Sequence, residues 1–245
     1  YIYELKKNEC SIINKSRMNK FIVLEGLDGS GKSTQTAMLK SYFDEQNIDY
    51  KYLHFPQTHT PYFGDLISRF LRGELGKIDE VDPYLVAMLY AGDRYDASSE
   101  IREWLNIGSM VLVDRYVMSN IAFQTAKLKS QVEKEQLRQW IFKFEYQYYR
   151  IPKPSLSIFL DVPMSFVKQN IENQRNGNDR EYLLGKNDIH EEHIEFQEQV
   201  RLEYLEAIKM DEHFVRIDCV ENGDMKSADQ IFEEILELLS KKGII

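Results

Sequence analysis

Cysteine is nearly absent from this chain: 245 residues include two, Cys10 and Cys219. That excludes a disulfide framework and leaves no paired cysteine spacing for a metal. A reducing compartment, the cytoplasm, is the expectation. Long apolar runs are missing too. None approaches the ~18 residues that a membrane span requires, and the amino-terminal stretch has no long apolar segment of the kind a secretory signal carries. Positive charge is in deficit, with 31 Lys and Arg against 40 Asp and Glu and a formal net charge of −9. A nucleic-acid binder would normally show a basic face. Neither nucleic acid nor a membrane is therefore expected as a partner. A nucleotide site survives this exclusion, because a few local cations suffice. There is no internal repeat, low-complexity linker or shift in composition. The length suits one α/β domain with a sizeable core, placed at residues 18–245. Residues 1–17 read as an N-terminal extension before Met18, although Ile2, Leu5, Ile12 and Ile13 leave an ordered element open.

What the chain does have is Gly26-Leu27-Asp28-Gly29-Ser30-Gly31-Lys32-Ser33. An apolar run at 21–24 precedes it and a helical pattern at 31–46 follows. Gly-x4-Gly-Lys-Ser between a strand and a helix is a phosphate-binding loop. Its backbone N–H groups wrap phosphates, and the helix N-terminus adds its dipole. The bare pattern arises by chance in roughly one chain in a hundred of this length; the flanking strand and helix narrow that further. The alternative, a glycine turn capping a helix, leaves Lys32 unexplained.

Short β-branched runs recur at 21–24, 50–55, 110–113, 156–160 and 213–217. Helical patterns lie between them, at 31–46, 62–72, 84–107 with a break near Asp93, 131–147, 165–175, 191–210 and 227–241. Asp82-Pro83 offers a start and Gly108 a stop. The alternation predicts a three-layer α/β/α fold, a five-stranded parallel sheet with helices on both faces. Ligands in such sheets bind beyond the carboxyl ends of the strands. That rule gathers Glu25 to Ser33, Phe55-Pro56-Gln57, Asp114-Arg115-Tyr116, Asp161-Val162-Pro163 and Asp218-Cys219 around one crevice.

Within that set, Lys32 is the cation that reaches the β- and γ-phosphates, Ser33 offers a hydroxyl to Mg²⁺, and Thr34 joins the α-phosphate. Asp28 would repel phosphate, so a sugar hydroxyl or a metal-bound water suits it better; a loop-stabilising Asx turn is the structural alternative. Arg115 can fork onto phosphate oxygens, and Asp114 can hold Mg²⁺ through water or orient Arg115. Tyr90 and Arg94, four apart on a helix, share one face. Together they suit a flat base with carbonyl oxygens, although spacing alone favours a core tyrosine beside a surface arginine. Residues 174–180 interrupt a helix with polar residues and two arginines, Arg175 and Arg180. A lid that closes over phosphates looks like this, and so does a solvated loop. The aromatic run Phe142, Phe144, Tyr146, Tyr148 and Tyr149 reads as helix packing. The acids Asp188, Glu191, Glu192 and Glu195 read as a helix-start charge bias. His190 and His193 lack a further ligand for zinc.

Together these motifs resemble the thymidylate kinases, a family of P-loop nucleoside monophosphate kinases. The resemblance runs from Met18 to Lys241. It rests on the stretch from Phe21 to Gln35, on Asp114-Arg115-Tyr116, on Phe55-Pro56 and on Phe159-Leu160-Asp161-Val162-Pro163. It implies transfer of phosphate from Mg²⁺-ATP to dTMP, giving dTDP for dTTP synthesis, in a homodimer. It places Gly26 to Thr34 on ATP and Phe55, Tyr90, Arg94, Arg115, Ser119, Asn120 and Phe123 around dTMP. Tyr90 would stack on thymine, Arg94 would reach O4 and the acceptor phosphate, and Asn120 would meet N3. Phe123 would crowd the 2′ position, Asp28 would contact the 3′-hydroxyl, and Arg115 would hold the acceptor phosphate. Some members keep a catalytic arginine in the phosphate loop and others in the lid. Gly29 stands at the loop position here, which points to Arg175 or Arg180 in a lid at about 174–187, the bacterial-like arrangement. One departure stands out: the pattern Phe-Pro-x-Arg-x-Thr reads Phe55-Pro56-Gln57-Thr58-His59-Thr60, with Arg69, Arg72 or His59 as possible substitutes for the missing cation. Two other readings stay open at this level: a kinase of another nucleotide or a deoxynucleoside, and a nucleotide-binding regulatory protein with weakened catalysis.

Overall fold

The computed structural model describes residues 20–78, 80–174, 183 and 194–245. Five strands form one parallel sheet in the order β2-β3-β1-β4-β5. They are β1 (Phe21–Gly26), β2 (Tyr50–His54), β3 (Met110–Asp114), β4 (Leu156–Asp161) and β5 (Phe214–Asp218). The inner strands β1, β3 and β4 are buried along their whole length. Covered on both faces, they need continuous apolar sequence, which Phe21-Ile22-Val23-Leu24 and Met110-Val111-Leu112-Val113 supply.

The helices are α1 (Lys32–Glu45), α2 (Phe63–Leu71), α3 (Pro83–Ile107), α4 (Val117–Thr125), α5 (Gln131–Lys143), α6 (Met164–Gln174), α7 (Ile194–Ala207) and α8 (Ala228–Lys241). Packed together are α1 and α8, and in a second group α4 with α3, α5 and α7. The α3 helix starts where expected. Asp82 accepts from the Tyr84 and Leu85 amides at 2.8 and 3.3 Å, and Gly108 ends the helix at φ 94°.

Three features depart from expectation. The α3 helix does not break at Asp93. Asp93 is buried, and its Oδ2 accepts from the Gln57 amide at 2.9 Å. Its polarity serves the loop after β2 rather than a helix end. The α4 helix carries no amphipathic signal because all nine of its residues are buried. The pattern at 131–147 resolves into α5 followed by a π-helical turn, Phe144–Tyr148. The aromatics there pack on one another, with Trp140 stacked on Phe144 and Phe144 on Tyr148 at 4.8 and 5.6 Å.

Candidate active site

The loop leaving β1 enters α1 through Gly31, the N-cap, at φ 85°. The first amides of any helix lack intrahelical partners, so those of Lys32, Ser33 and Thr34 face outward with the dipole behind them. Ser33 and Thr34 are exposed on this turn, and Leu27 is buried beneath the loop. Ser30 Oγ is buried without a hydrogen-bond partner. Gly29 sits at φ 70°, and a Cβ there would lie 3.0 Å from Asn170 Cβ and 3.2 Å from the Val167 carbonyl. Asn170 Nδ2 donates to the Gly29 carbonyl at 2.8 Å and pins the loop. Lys32 folds back, donating from Nζ to the Leu27 carbonyl at 2.7 Å and to the Gly26 carbonyl at 3.3 Å. Burial, with Arg115 adding to it, pulls its pKa down to about 8 against the opposite pull of Asp114, Asp28 and Glu25.

Arg115 follows β3 at φ 64°, a backbone region that costs a non-glycine residue about 1–3 kcal/mol. Its guanidinium is tied down all round. Nη1 donates to the Gly26 carbonyl at 2.8 Å, Ser119 Oγ at 3.3 Å and Tyr204 OH at 3.4 Å. Nη2 donates to Asp28 Oδ1 at 2.5 Å. Burial alone would lower its pKa; Asp28, Tyr204, Asp114 and Glu25 overcome that and raise it. Beneath lies Glu25, fully buried, accepting from the Tyr116 amide at 2.9 Å, from Ser119 Oγ and from Tyr204 OH at 3.2 Å. Asp28 is thus held in an ion pair, and its Oδ2 accepts from Gln197 Nε2 at 2.8 Å. Ser119 is a strut between Glu25 and Arg115 at the wall of the cleft.

Phe55, Tyr90, Arg94, Arg115, Asn120 and Phe123 line one cleft together with Ser119; it holds about 410 Å³ including its mouth. Phe123 lies under Arg115, whose guanidinium carbon is 5.1 Å from the ring centroid. Arg94 is not a surface residue: it is 1% exposed. Its Nε and Nη2 fork onto Glu145 at 2.6 and 2.7 Å. Burial would pull the guanidinium down, and the Glu145 carboxylate more than offsets it. Asn120 Nδ2 donates to Glu145 Oε1 at 2.9 Å and to the Ala87 carbonyl at 3.0 Å.

A family model for thymidylate kinase matches residues 24–229. The chain belongs to the thymidylate kinase family. A probable thymidylate kinase of Pyrococcus abyssi is 32% identical over 222 residues, which is 89% of this chain and 95% of that protein. A thymidylate kinase of Plasmodium falciparum is 31% identical over 152 residues, covering 62% of this chain and 66% of its own length. A solved thymidylate kinase structure from Candida albicans is 25% identical, covers 92% of this chain and 93% of that one, and superposes with a TM-score of 0.69. The family makes this chain an enzyme, a kinase that phosphorylates dTMP.

Against the thymidylate kinase pattern, Thr58 still stands without an arginine. Its carbonyl is held by Ser68 Oγ at 3.2 Å. Arg72 and Arg69 both lean on Glu74, at 2.9 and 3.6 Å, and His59 is exposed. Arg175 and Arg180, most of the expected lid, Asp188 to Glu192 and His193 lie outside the described residues.

The donors suit Mg²⁺. Asp114 Oδ1 is buried without a hydrogen-bond partner, while Oδ2 faces His54 Nδ1 at 3.4 Å. Burial pushes this carboxyl up, but His54, Lys32 and Arg115 prevail and hold it below the usual carboxylate range. An ionised oxygen with free lone pairs fits a hard cation or its water. No cluster of three metal-ligating side chains occurs among the described residues. Mg²⁺ needs none, since it is usually held by one or two carboxylates and the substrate phosphates.

Sequence reasoning passed over Glu145, Gln197 and Tyr204. Glu145 is the one acid inside the aromatic run from Phe142 to Tyr149. A charge in such a setting demands a partner, and that was its signal. Gln197 and Tyr204 had none, because their partners lie 169 and 179 residues away.

Proposed function

We propose that the chain transfers the γ-phosphoryl group of ATP to dTMP by positioning and charge neutralisation, with the residues named above in the roles that follow. The observation that carries this reading is the meeting of Lys32 and Arg115 at one carbonyl, between the phosphate loop and the base cleft. The acceptor phosphate is already an anion, so no strong general base is required. Lys32 would leave its loop carbonyls for the transferring phosphoryl oxygens, and Arg115 would hold the acceptor phosphate. Asp28, at the edge of that pair, would take the 3′-hydroxyl. Tyr90 and Phe123 would wall the base and sugar, with Arg94 and Asn120 on the polar edge of thymine. Phe55 would close the cleft from the loop after β2.

Bound Mg²⁺ would neutralise the β- and γ-phosphate charge, held by Ser33 and, through water, by Asp114. Arg175 or Arg180 would add charge as the lid closes and excludes water. Replacing both by alanine is expected to lower kcat; an unchanged kcat would overturn that assignment. A homodimer is part of the same proposal. Leu85, Met88 and Tyr95 are 59, 41 and 49% exposed along α3, apolar surface that a second copy could cover.

The test is a panel of nucleosides and nucleoside monophosphates with ATP and Mg²⁺. The expected result is dTDP from dTMP. Phosphorylation of thymidine with dTMP left untouched would point to a deoxynucleoside kinase. Binding of both nucleotides with no dTDP would point to a regulatory protein.

A further inference from the structure

We propose that Glu145 sets the hydrogen-bonding polarity of the base cleft, selecting a base that presents a carbonyl oxygen beside an N–H over one that presents an amino group beside a bare ring nitrogen. The proposal rests on the reading that dTMP is the acceptor.

Glu145 is wholly buried in the π-helical turn after α5. A buried carboxylate is costly unless it is paired and hydrogen-bonded. Glu145 finds its partners among the residues that line the cleft: Arg94 on α3 and Asn120 on α4. The Asn120 amide meets two groups at once, the Glu145 carboxylate and the Ala87 carbonyl. Neither can donate. The nitrogen of the amide must face both, and both of its N–H bonds are consumed. Asn120 Oδ1 is then left over, buried and without a partner, on a residue that lines the cleft. It is an acceptor awaiting a donor.

Arg94 is constrained in the same way. Glu145 takes Nε and Nη2, which leaves Nη1 as the nitrogen that can turn to a ligand. A guanidinium nitrogen can only donate. Both residues line the cleft and meet on the same oxygen, Glu145 Oε1, so the cleft offers a donor and an acceptor from two side chains anchored at one point. Thymine meets them with O4 and N3–H. Cytosine would set its amino group against the donor and its bare N3 against the acceptor. A site with buried polar groups of fixed sense rejects the mismatched ligand strongly, because those groups go unpaired. Glu145 itself touches no ligand in this arrangement. It is a positioning residue acting through Arg94 and Asn120.

Glu145→Gln keeps the size but offers an amide that can donate as well as accept, so the sense of the Asn120 amide is then held by the Ala87 carbonyl alone. The ratio of kcat/KM for dTMP to that for dCMP is expected to fall at least ~10-fold, with KM for ATP unchanged within about two-fold. An equal proportional loss on both substrates, or no loss, would show Glu145 to be structural only and overturn the proposal. Neutron diffraction from the unsubstituted enzyme with dTMP decides the matter even where the variant does not fold. The Asn120 deuterons should point at Glu145 and Ala87, with Oδ1 on the base N3; a deuteron directed at the base overturns the proposal. Turnover of dTMP by the unsubstituted enzyme tests the underlying reading separately, and its absence would remove both.

Discussion

Lys32 Nζ and Arg115 Nη1 donate to the same atom, the carbonyl oxygen of Gly26, at 3.3 and 2.8 Å. Two like charges are thereby parked together before any phosphate arrives. The carbonyl is a weaker partner than an anion, so incoming phosphoryl oxygens should draw both cations off it.

Arg115→Lys tests how much of this depends on shape. The charge survives, but the fork that joins Gly26, Ser119 and Asp28 does not. We expect kcat/KM for dTMP to fall ~100-fold or more, while ATP affinity stays within a few-fold. Steady-state kinetics with equilibrium binding of ATP would decide it, and a loss under ten-fold would mean that charge alone suffices.

Gly29→Arg asks whether the catalytic arginine could be moved into the phosphate loop. The backbone at φ 70° and the closeness of Asn170 and Val167 argue against it. A side chain there should cost roughly 1–3 kcal/mol, lower Tm and reduce kcat. A variant as stable and active as the parent would refute the steric argument.

Asp93 carries a pH signature. Burial pushes its pKa up to about 6, although the Gln57 amide and Arg94 pull the other way. The folded protein then binds a proton that the unfolded chain, with a value near 3.8, has already released. Stability from this group falls as pH rises from about 4 to 6, and the penalty is complete above that. Asp93→Asn removes the titration. Its stability relative to the parent should improve by on the order of 2–3 kcal/mol between pH 4 and pH 7. Urea unfolding across that range would show it, and a pH-independent difference would exclude it.

Lys127 gives the opposite case for a base. Its Nζ is buried without a hydrogen bond, 4.7 Å from the centroid of the Phe70 ring, while the rest of the residue reaches solvent. Burial lowers its pKa to about 7, with Asp82 pulling weakly back. Stability from this group rises with pH from about 7 to about 10.5, where the unfolded chain also loses the proton. Lys127→Met should raise Tm by ~2–4 °C at pH 7 and below, a gain discounted for the partial exposure. Calorimetry should find the gain shrinking toward pH 10; a constant gain would point to packing instead.

The sheet was legible because its inner strands are covered on both faces, so Phe21 to Leu24 and Met110 to Val113 had to be apolar without interruption. Chemistry at the strand ends was legible for a related reason: Lys32, Asp114 and Arg115 stand where the chain leaves the sheet. The α4 helix was hidden by its own burial, since Val117 to Thr125 has no wet face to give it a period. Glu145 was hidden by distance. It closes on Arg94 across 51 residues and on Asn120 across 25, and nothing local announces either pairing.

The order of the sheet sets β1 between β3 on one side and β4 on the other. Phosphate handling comes from the loop that leaves β1, and the walls of the acceptor cleft come from the chain that visits only β2, β3 and their helices. Everything proposed to touch the base lies between Phe55 and Phe123, with its brace at Glu145. The groups proposed to read the base therefore come from one continuous stretch of chain, separate from the central strand whose loop faces the phosphates.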